Sequence, residues 1–501
     1  MKKESFSKRV FLNTAIQAVG KVLYLACSFA IAIMLTRYLG REKFGMYNTT
    51  IAFWALVGVF GDLGIFLASI REAAKAKNEE EKSQILGSAL TLRIITALLF
   101  ILVGLIIAQF LPYPALVKKA ILIFAIGEFF ILLNQIFLGV GQLYLSMTPY
   151  VVSELLGRFL SVGIIFWLTR TGGGLLEIIL APVLGLALFF ILVFIWSNLV
   201  FVKVVPRADW ALIKNLLLKS LPLGILLIVW TIFFKIDSFM LSVLPLKKVV
   251  LTNLAHFSNM EAVGIYGVSY KVLEIVLIFP GLLTGLVFPA MSRFLVSDFE
   301  KAKSLFDKTF LALLAVALPT IIFIFFFAKS AVLILGGKEF LYSVLPLQIL
   351  AFSFVPFFVG RLANDTLIAG HKQRDLLTGS VFFVLFNIVL NFVFIPYLSY
   401  VGAAVATVLS QLAFCLFLFA MTKKKVNLAP SWQGTGKVFL AALVSLIFAF
   451  VFSAIKIGFF DNILDEVVKL TIGAVGTFGL FGIVLILLGG VKDFYSVFKK
   501  E

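Results

Sequence analysis

Cysteine and histidine are scarce in this chain, with two of each among 501 residues. Cys27 and Cys415 both lie inside apolar runs, so a disulfide framework is excluded and reduced packing residues are expected. His256 and His371 fall between apolar runs, and no His-Glu-x-x-His metal motif occurs. A phosphate-cradling Gly-x-x-x-x-Gly-Lys-Ser/Thr loop is also missing. Gly434-Thr435-Gly436-Lys437 lacks the first glycine and opens an apolar run. No Asp-x-Asp of a sugar-nucleotide transferase is present. The sequence carries no cofactor signature and no catalytic constellation, and a non-enzyme is expected. Charge is sparse too. Asp, Glu, Lys and Arg make up 14% of the chain, against about 25% in soluble domains.

What fills the gap is hydrophobic, at 62% of residues. A soluble chain is roughly 45–50% apolar, and the remainder here is too small to build a wetted surface. A bilayer resolves this, because lipid replaces water around the apolar faces. Runs of about 20 mostly apolar residues suffice to span. They are found roughly at 11–36, 44–70, 85–110, 119–141, 144–169, 174–201, 216–244, 262–290, 305–335, 341–369, 375–398, 399–422, 436–458 and 466–490. The first run follows Lys2, Lys3, Lys8 and Arg9 and is too long for a cleaved signal core, so it reads as a retained first span. The fold class expected is all-α and integral to the membrane, with about fourteen transmembrane helices.

The formal charge is +18. Nucleic-acid binding needs such charge gathered on one solvated face or arm. Here the basic residues stand in short clusters between apolar runs, which is the pattern of topology signals. With the N-terminus in the cytoplasm, inside loops hold about 25 Lys and Arg and outside loops about 12. The excess predicts both termini inside, in the cytoplasmic (inner) membrane. Every loop is short. The longest outside segment runs roughly from Pro245 to Ala262, so function must sit among the helices.

The chain also repeats itself. KFGMYNTT from Lys43 and AVGIYGVS from Ala262 each precede or open the second helix of a half, aligning Gly45 with Gly264 and Tyr47 with Tyr266. GVGQLYLS from Gly139 and IAGHKQRD from Ile368 align Gly141 with Gly370. Two matches in order at similar offsets predict two parallel six-helix lobes, 1–205 and 206–425. Residues 426–501 then hold two additional helices and a cytoplasmic tail. Parallel repeats place a substrate site near the midplane.

A charge at the bilayer centre costs about 2.5–3.5 kcal/mol or more, so intramembrane charges are functional candidates. The cations are Lys21, Arg93, Arg158, Lys235, Lys271 and Arg361, and the acids are Asp62, Glu128, Glu154, Asp237, Glu274 and Asp365. Glu154/Arg158 and Arg361/Asp365 stand four apart and Lys271/Glu274 three apart, so each pair can neutralise itself on one helix face. Arg93 and Asp62, on adjacent helices, read as a structural ion pair. Lys21 and Lys235 have no obvious partner on their own helix face and lie mid-helix in the first helix of each half. Ammonium groups in a low-dielectric cleft suit a phosphate or diphosphate. Lys21, Lys235, Lys271 and Arg158 are therefore the substrate-binding candidates. Asp237, Glu128, Asp62, Glu154 and Glu274 are candidates for ion coupling or structure, with H+ or Na+ as the ion. Pro280, Pro289, Pro346 and Pro356 interrupt the eighth and tenth spans and predict kinks there.

LTRYLGREKFGMYN from Leu35, FKIDSFML from Phe234, EAVGIYGVSYKVLE from Glu261, GGKEFLYSVLPLQILA from Gly336 and YVGAAVATVLSQ from Tyr400 resemble the polysaccharide transporter family. That family is the O-antigen and capsule repeat-unit flippase branch of the multidrug/oligosaccharidyl-lipid/polysaccharide exporter superfamily. The resemblance runs over most of the chain. It implies two six-helix lobes forming a V around a central cavity, and alternating access. It implies movement of a polyprenyl-diphosphate-linked oligosaccharide between leaflets, without catalysis, by a monomer whose partners are membrane lipid and the lipid-linked glycan. Related lipid flippases use basic residues of the first and eighth helices for the diphosphate, and Lys21 and Lys271 occupy the matching helices. Two competitors stay open. A cation-coupled multidrug antiporter of the same superfamily calls for an acidic cavity. A membrane glycosyltransferase or polymerase calls for acids on a long outside loop.

Overall fold

The computed structural model describes residues 6–246, 257–432, 434–455 and 462–489. His256 and the topology residues Lys2, Lys3, Lys247, Lys248, Lys456, Lys492, Lys499 and Lys500 lie outside them. Helices make up nearly all of the rest. In order they are α1 (Phe6–Asp62), α2 (Ile65–Ala73), α3 (Glu79–Phe110), α4 (Ala115–Leu143), α5 (Thr148–Thr171), α6 (Leu175–Val200), α7 (Trp210–Val243) and α8 (Asn259–Val276). There follow α9 (Ile278–Ser297), α10 (Phe299–Gly336), a 3-10 turn at Lys338–Ser343, α11 (Val344–Ala351), α12 (Phe354–Ala369), α13 (Gln373–Val426), α14 (Thr435–Ala454) and α15 (Asn462–Leu487). The described residues contain no strand.

Ten stretches are each long and apolar enough to cross a membrane, and two bent pairs within 210–243 and 338–369 add a pass each. Two of the ten, 15–73 and 373–426, run 59 and 54 residues. At 1.5 Å per residue these reach about 80–90 Å, well over twice a hydrocarbon core of about 30 Å. Each is broken once. Gly40 leaves helical geometry at φ 68°, ψ −178°, a conformation that favours glycine. Ser399 does so at φ 50°, ψ −133°. Dividing both at these breaks gives fourteen passes among the described residues. The expected gap at 37–43 is thus a one-residue break, with helix on both sides of Gly40.

Proline accounts for further interruptions. α8 ends at Val276 and α9 begins two residues ahead of Pro280. Pro346 and Pro356 occupy the first turns of α11 and α12, where a missing N–H costs no helical bond. Pro289 lies inside α9 without ending it. Side chains cap the wetted ends. Asn78 accepts the Glu81 amide at 2.8 Å before α3, and Ser258 and Glu261 cap α8 reciprocally.

The chain divides into two compact units, Met1–Val243 and Leu244–Glu501. The division falls after α7, which packs on α1, α2 and α3, whereas the repeat places it before. In the first unit, a core of Leu86, Leu90, Ile136, Phe137, Val140 and Val193 joins α3, α4 and α6. In the second, α14 and α15 lie against α10. Outward faces stay apolar. Leu98, Leu102, Ile106 and Phe110 on α3 and Phe439, Leu443, Ile447 and Phe450 on α14 are all exposed. Contiguous apolar surface of this extent marks a lipid boundary rather than a wetted one. The protein is a multi-pass membrane protein.

Candidate functional site

Within the first unit, α1 and α5 bring charge and aromatic groups together. Their approach is set by a small residue. A Cβ on Gly20 would fall 2.3 Å from Cγ1 of Val151, so only a glycine lets α1 lie this close to α5. Gly20 precedes Lys21, and Val151 follows Tyr150. Six residues further along α5, Gly157 meets Gly185 of α6 backbone to backbone; a Cβ on Gly157 would sit 2.3 Å from the Gly185 carbonyl oxygen. Small residues facing each other are the usual means of close helix approach in membranes. With Gly157 turned to α6, Glu154 and Arg158 stand on one face of α5, one turn apart.

The start of α1 is pinned to the same region. The Asn13 side-chain amide donates to the Leu145 carbonyl, and its oxygen accepts the Met147 amide at 3.1 Å. The turn between α4 and α5 thereby holds the first helix in register with the fifth. Sequence reasoning did not single out Asn13. The available signal was an amide side chain early in an apolar run.

Tyr24, one turn after Lys21, is the centre of the cluster. The Arg158 guanidinium carbon lies 4.2 Å from the Tyr24 ring centroid, and Lys21 Nζ lies 5.1 Å from it. Both are within the range of about 6 Å at which a cation is attracted by a ring face. The sum of the two distances, about 9.3 Å, is the largest separation the two charges can have. Lys21 is exposed, while Tyr24, Glu154 and Arg158 are half-buried. Among the described residues neither Lys21 nor Arg158 makes a hydrogen bond or an ion pair. Glu154 interacts electrostatically with both cations, again without a direct ion pair among the described residues. Tyr150 interacts electrostatically with Glu154 and Tyr24, and Tyr47 with Arg158 and Tyr24. The cluster is thus two cations, one carboxylate and three phenols.

The other charges behave differently. Arg93 is fully buried and pairs with Asp62 at 2.6 Å, as its place on an adjacent helix suggests. It also donates to the Gly61 carbonyl and to Gln135 Oε1, both at 3.3 Å. Thr96 donates to the same Gly61 oxygen at 2.9 Å. This network ties the end of α1 to α3 and α4. Glu128 of α4 is buried against α1, its Oε1 occupying the place that a Cβ on Gly58 would take. Lys235 is half-buried and Asp237 buried on α7. In the second unit, Lys271 bonds Glu274 at 3.2 Å, each about one-third exposed. Arg361 bonds Asp365 at 3.0 Å, and Asn364 donates to the other Asp365 oxygen. Of the repeat tyrosines, Tyr47 belongs to the cluster and Tyr266 is fully buried, 3.2 Å from Thr407 Oγ1.

Comparison with known proteins gives this arrangement its context. Residues 10–295, more than half of the chain, match the family described as polysaccharide biosynthesis protein. The chain belongs to that family. The matched stretch contains the entire Tyr24 cluster and Lys235 and Lys271. A full-length relative of this family member is the uncharacterized membrane protein MJ1068 of Methanocaldococcus jannaschii, 21% identical and aligned over 99% of this chain and 100% of its own. Among solved structures, the inward closed conformation of the lipid II flippase MurJ is similar at TM-score 0.72 and 15% identity, covering 95% of this chain and 99% of its own. An inward-facing multidrug resistance MATE family transporter of the MOP superfamily is similar at TM-score 0.65 and 15% identity, covering 81% and 94%. At these identities the two structures speak to the fold. The family member shares the architecture of both.

Proposed function

We propose that this protein is a flippase that moves a polyprenyl-diphosphate-linked oligosaccharide across the cytoplasmic membrane by alternating access. Lys21 and Arg158 hold the diphosphate, with Lys235 of the same unit as a further cation; Lys271, bonded to Glu274, is the second unit's own substrate-binding candidate. The observation that carries the reading is the pair of cations over Tyr24. An intramembrane charge costs several kcal/mol unless it is paired. Arg93 and Arg361 meet that cost with carboxylates at hydrogen-bond distance. Lys21 and Arg158 instead rest on an aromatic face, which is worth only about 0.5–2 kcal/mol. Their donors are available to an anion, and a single diphosphate can reach both. The family, whose description names polysaccharide biosynthesis, and the fold shared with a lipid II flippase support a glycan lipid as the anion's source.

No bond in the substrate is made or broken in this reading. The lipid tail stays in the bilayer while the charged head crosses, and the cations offset its lost hydration. Both termini lie in the cytoplasm, as the two-to-one excess of basic residues in inside loops supports. The chain acts as a monomer. The excess of cations at Tyr24 favours an anionic head over the cationic substrates of a drug antiporter.

The test is flipping of a fluorescent polyprenyl-diphosphate glycan in proteoliposomes. Wild type is expected to flip and Lys21→Ala/Arg158→Ala to lose flipping, with Lys235→Ala weakening it. Equal flipping by wild type and the double variant removes the diphosphate site from Tyr24. Absence of flipping by wild type, with export of cationic dyes, overturns the reading in favour of the antiporter.

A further inference from the structure

Helix α7 is attached to the first unit before it begins and near both of its ends. The connector that leads into it, residues 201–209, lies against α3. Val202 and Val204 of this connector are buried in the core that α3, α4 and α6 share. Ser83 donates to the Lys203 carbonyl at 2.6 Å, and the Arg207 amide donates to the Gly87 carbonyl at 3.3 Å. The Asn198 side chain accepts the Val204 amide at 2.7 Å. Near the start of α7, Lys219 pairs with Glu72 of α2 at 2.6 Å. Just beyond it, the elbow between α1 and α2 is fitted to α7 backbone to backbone. Leu63 and Gly64 both take left-handed conformations there, at φ 45° and 74°. A Cβ on Gly64 would fall 2.6 Å from the Gly224 nitrogen, and one on Gly224 would fall 2.5 Å from the Leu63 carbonyl oxygen. Near the other end of α7, the buried Ser242 shares a hydrogen bond of 2.9 Å with the buried Tyr113, which comes from the turn between α3 and α4.

We propose that α7 stays fixed to the first unit throughout transport, so that Lys235 moves as one body with Lys21 and Arg158. The proposal rests on the flippase reading above, which supplies the cycle. The sequence repeat makes α7 the first helix of the second lobe, whereas its packing puts it in the first unit. Alternating access rocks one repeat against the other about a central site. A helix of the second lobe would therefore part from the first at whichever end is open. Lys219 and Ser242 stand about 35 Å apart along α7, more than a hydrocarbon core of about 30 Å. The two clasps thus hold α7 at both ends of the core at once. Parting at the Lys219 end would break a charge pair and uncover the elbow, whose left-handed Leu63 persists only while its surroundings enforce it. Parting at the Ser242 end would leave two buried hydroxyls without each other. The connector gives no slack, since a moving α7 would pull Val202 and Val204 out of the core. Lys235 lies seven residues before Ser242, two turns along and within about 20° of the same helix face. It therefore stands on the side of α7 that Ser242 turns to the first unit. The three cations form one preset group, whose spacing does not change as the lobes rock.

The experiment ties α7 to the first unit covalently and measures whether transport survives. Glu72→Cys/Lys219→Cys and, separately, Tyr113→Cys/Ser242→Cys are made in the full-length chain carrying Cys27→Ala and Cys415→Ala. Each pair is bridged with a short bis-methanethiosulfonate and assayed in proteoliposomes for flipping of the fluorescent polyprenyl-diphosphate glycan. Bridged protein is expected to flip at the rate of the same sample after the bridge is reduced. A rate that is lost on bridging at either end and returns on reduction overturns the proposal and leaves the flippase reading standing. Spin labels on Glu72→Cys/Lys219→Cys in nanodiscs give a readout that needs no transport. One distance, the same with and without the glycan lipid, is expected. Two distances, or a distance that shifts with the glycan lipid, overturn the proposal. If the unbridged parent does not flip, the flippase reading fails, and the spin-label distances still decide whether α7 leaves the first unit. The exposed Glu72/Lys219 pair keeps the test open if the buried Tyr113/Ser242 variant does not fold.

Discussion

Enlarging Gly20 perturbs the cluster without touching a charged group. In Gly20→Ala the new Cβ stands 2.3 Å from Val151 Cγ1. Carbon atoms pack at about 3.5–4.0 Å, so α1 and α5 must separate by roughly 1.2–1.7 Å or Val151 must leave its rotamer. Overpacking of this kind costs about 1–3 kcal/mol. Alanine in a helix recovers at most about 1 kcal/mol relative to glycine, so a net loss is expected. The separation falls between Lys21 and Tyr24 on one helix and Glu154 and Arg158 on the other. Arg158 then moves off the Tyr24 ring, and a displacement of about 1 Å in a positioning contact is enough to cost an order of magnitude or more in rate. The compensating change is also visible. Cβ of Val151 lies at 3.5 Å, so Gly20→Ala/Val151→Ala removes both γ carbons, the overlapping Cγ1 included, and leaves Cβ at an ordinary contact distance. Flipping in proteoliposomes and thermal unfolding in detergent should both fall in the single variant, and flipping should recover in the double. The reasoning is refuted if Gly20→Ala flips at the wild-type rate, or if the double variant is as slow as the single.

Two further predictions concern stability. Asp62→Ala strands the fully buried Arg93 guanidinium with only neutral acceptors, and loss of one partner of a buried pair costs about 3–5 kcal/mol. The matching apolar double, Arg93→Met/Asp62→Leu, should lose much less, and equal melting temperatures for the two variants would show that the pair is not the source of the loss. Asp298 caps α10, accepting the Lys301 amide at 3.1 Å with the Lys301 ammonium at 3.0 Å. The Lys301 side-chain hydrogen bond, then its backbone amide, hold the Asp298 carboxyl below its ordinary range. A carboxyl lowered in the folded state adds stability above its unfolded value, about 3.9, which is lost as pH falls through the lowered folded value. Asp298→Asn should flatten that acid-side decline in a melting-temperature profile, and an unchanged profile would count against the cap.

The spans were legible because twenty apolar residues in a row leave few alternatives, and the interruptions were legible where proline or a turn cluster marked them. Pro280, Pro346 and Pro356 lie at helix starts, and the break at Ser399 falls where the predicted runs 375–398 and 399–422 meet. The break at Gly40 was only half visible, since the basic cluster Arg37, Arg41 and Lys43 suggested a loop where one glycine turns the chain. Arg93 with Asp62, Lys271 with Glu274 and Arg361 with Asp365 followed from spacing and depth. Arg158 did not. Its spacing from Glu154 pointed to a pair on α5, but the guanidinium lies over Tyr24 of α1. No pattern within one helix can show that contact. It depends on how closely two helices approach, and therefore on Gly20 against Val151, two residues that look unremarkable in any window.

The contrast between the two kinds of intramembrane cation bears on how a flippase must work. Arg93 is held by a carboxylate at 2.6 Å and by two further acceptors, an arrangement whose disruption is costly. A substrate could not displace such a partner and leave again. Lys21 and Arg158 are held by a ring face and by a carboxylate without direct contact, interactions of about 0.5–2 kcal/mol. Binding and release both need partners of that strength, because an anion that must depart on the far side cannot be gripped beyond what the next state can offset.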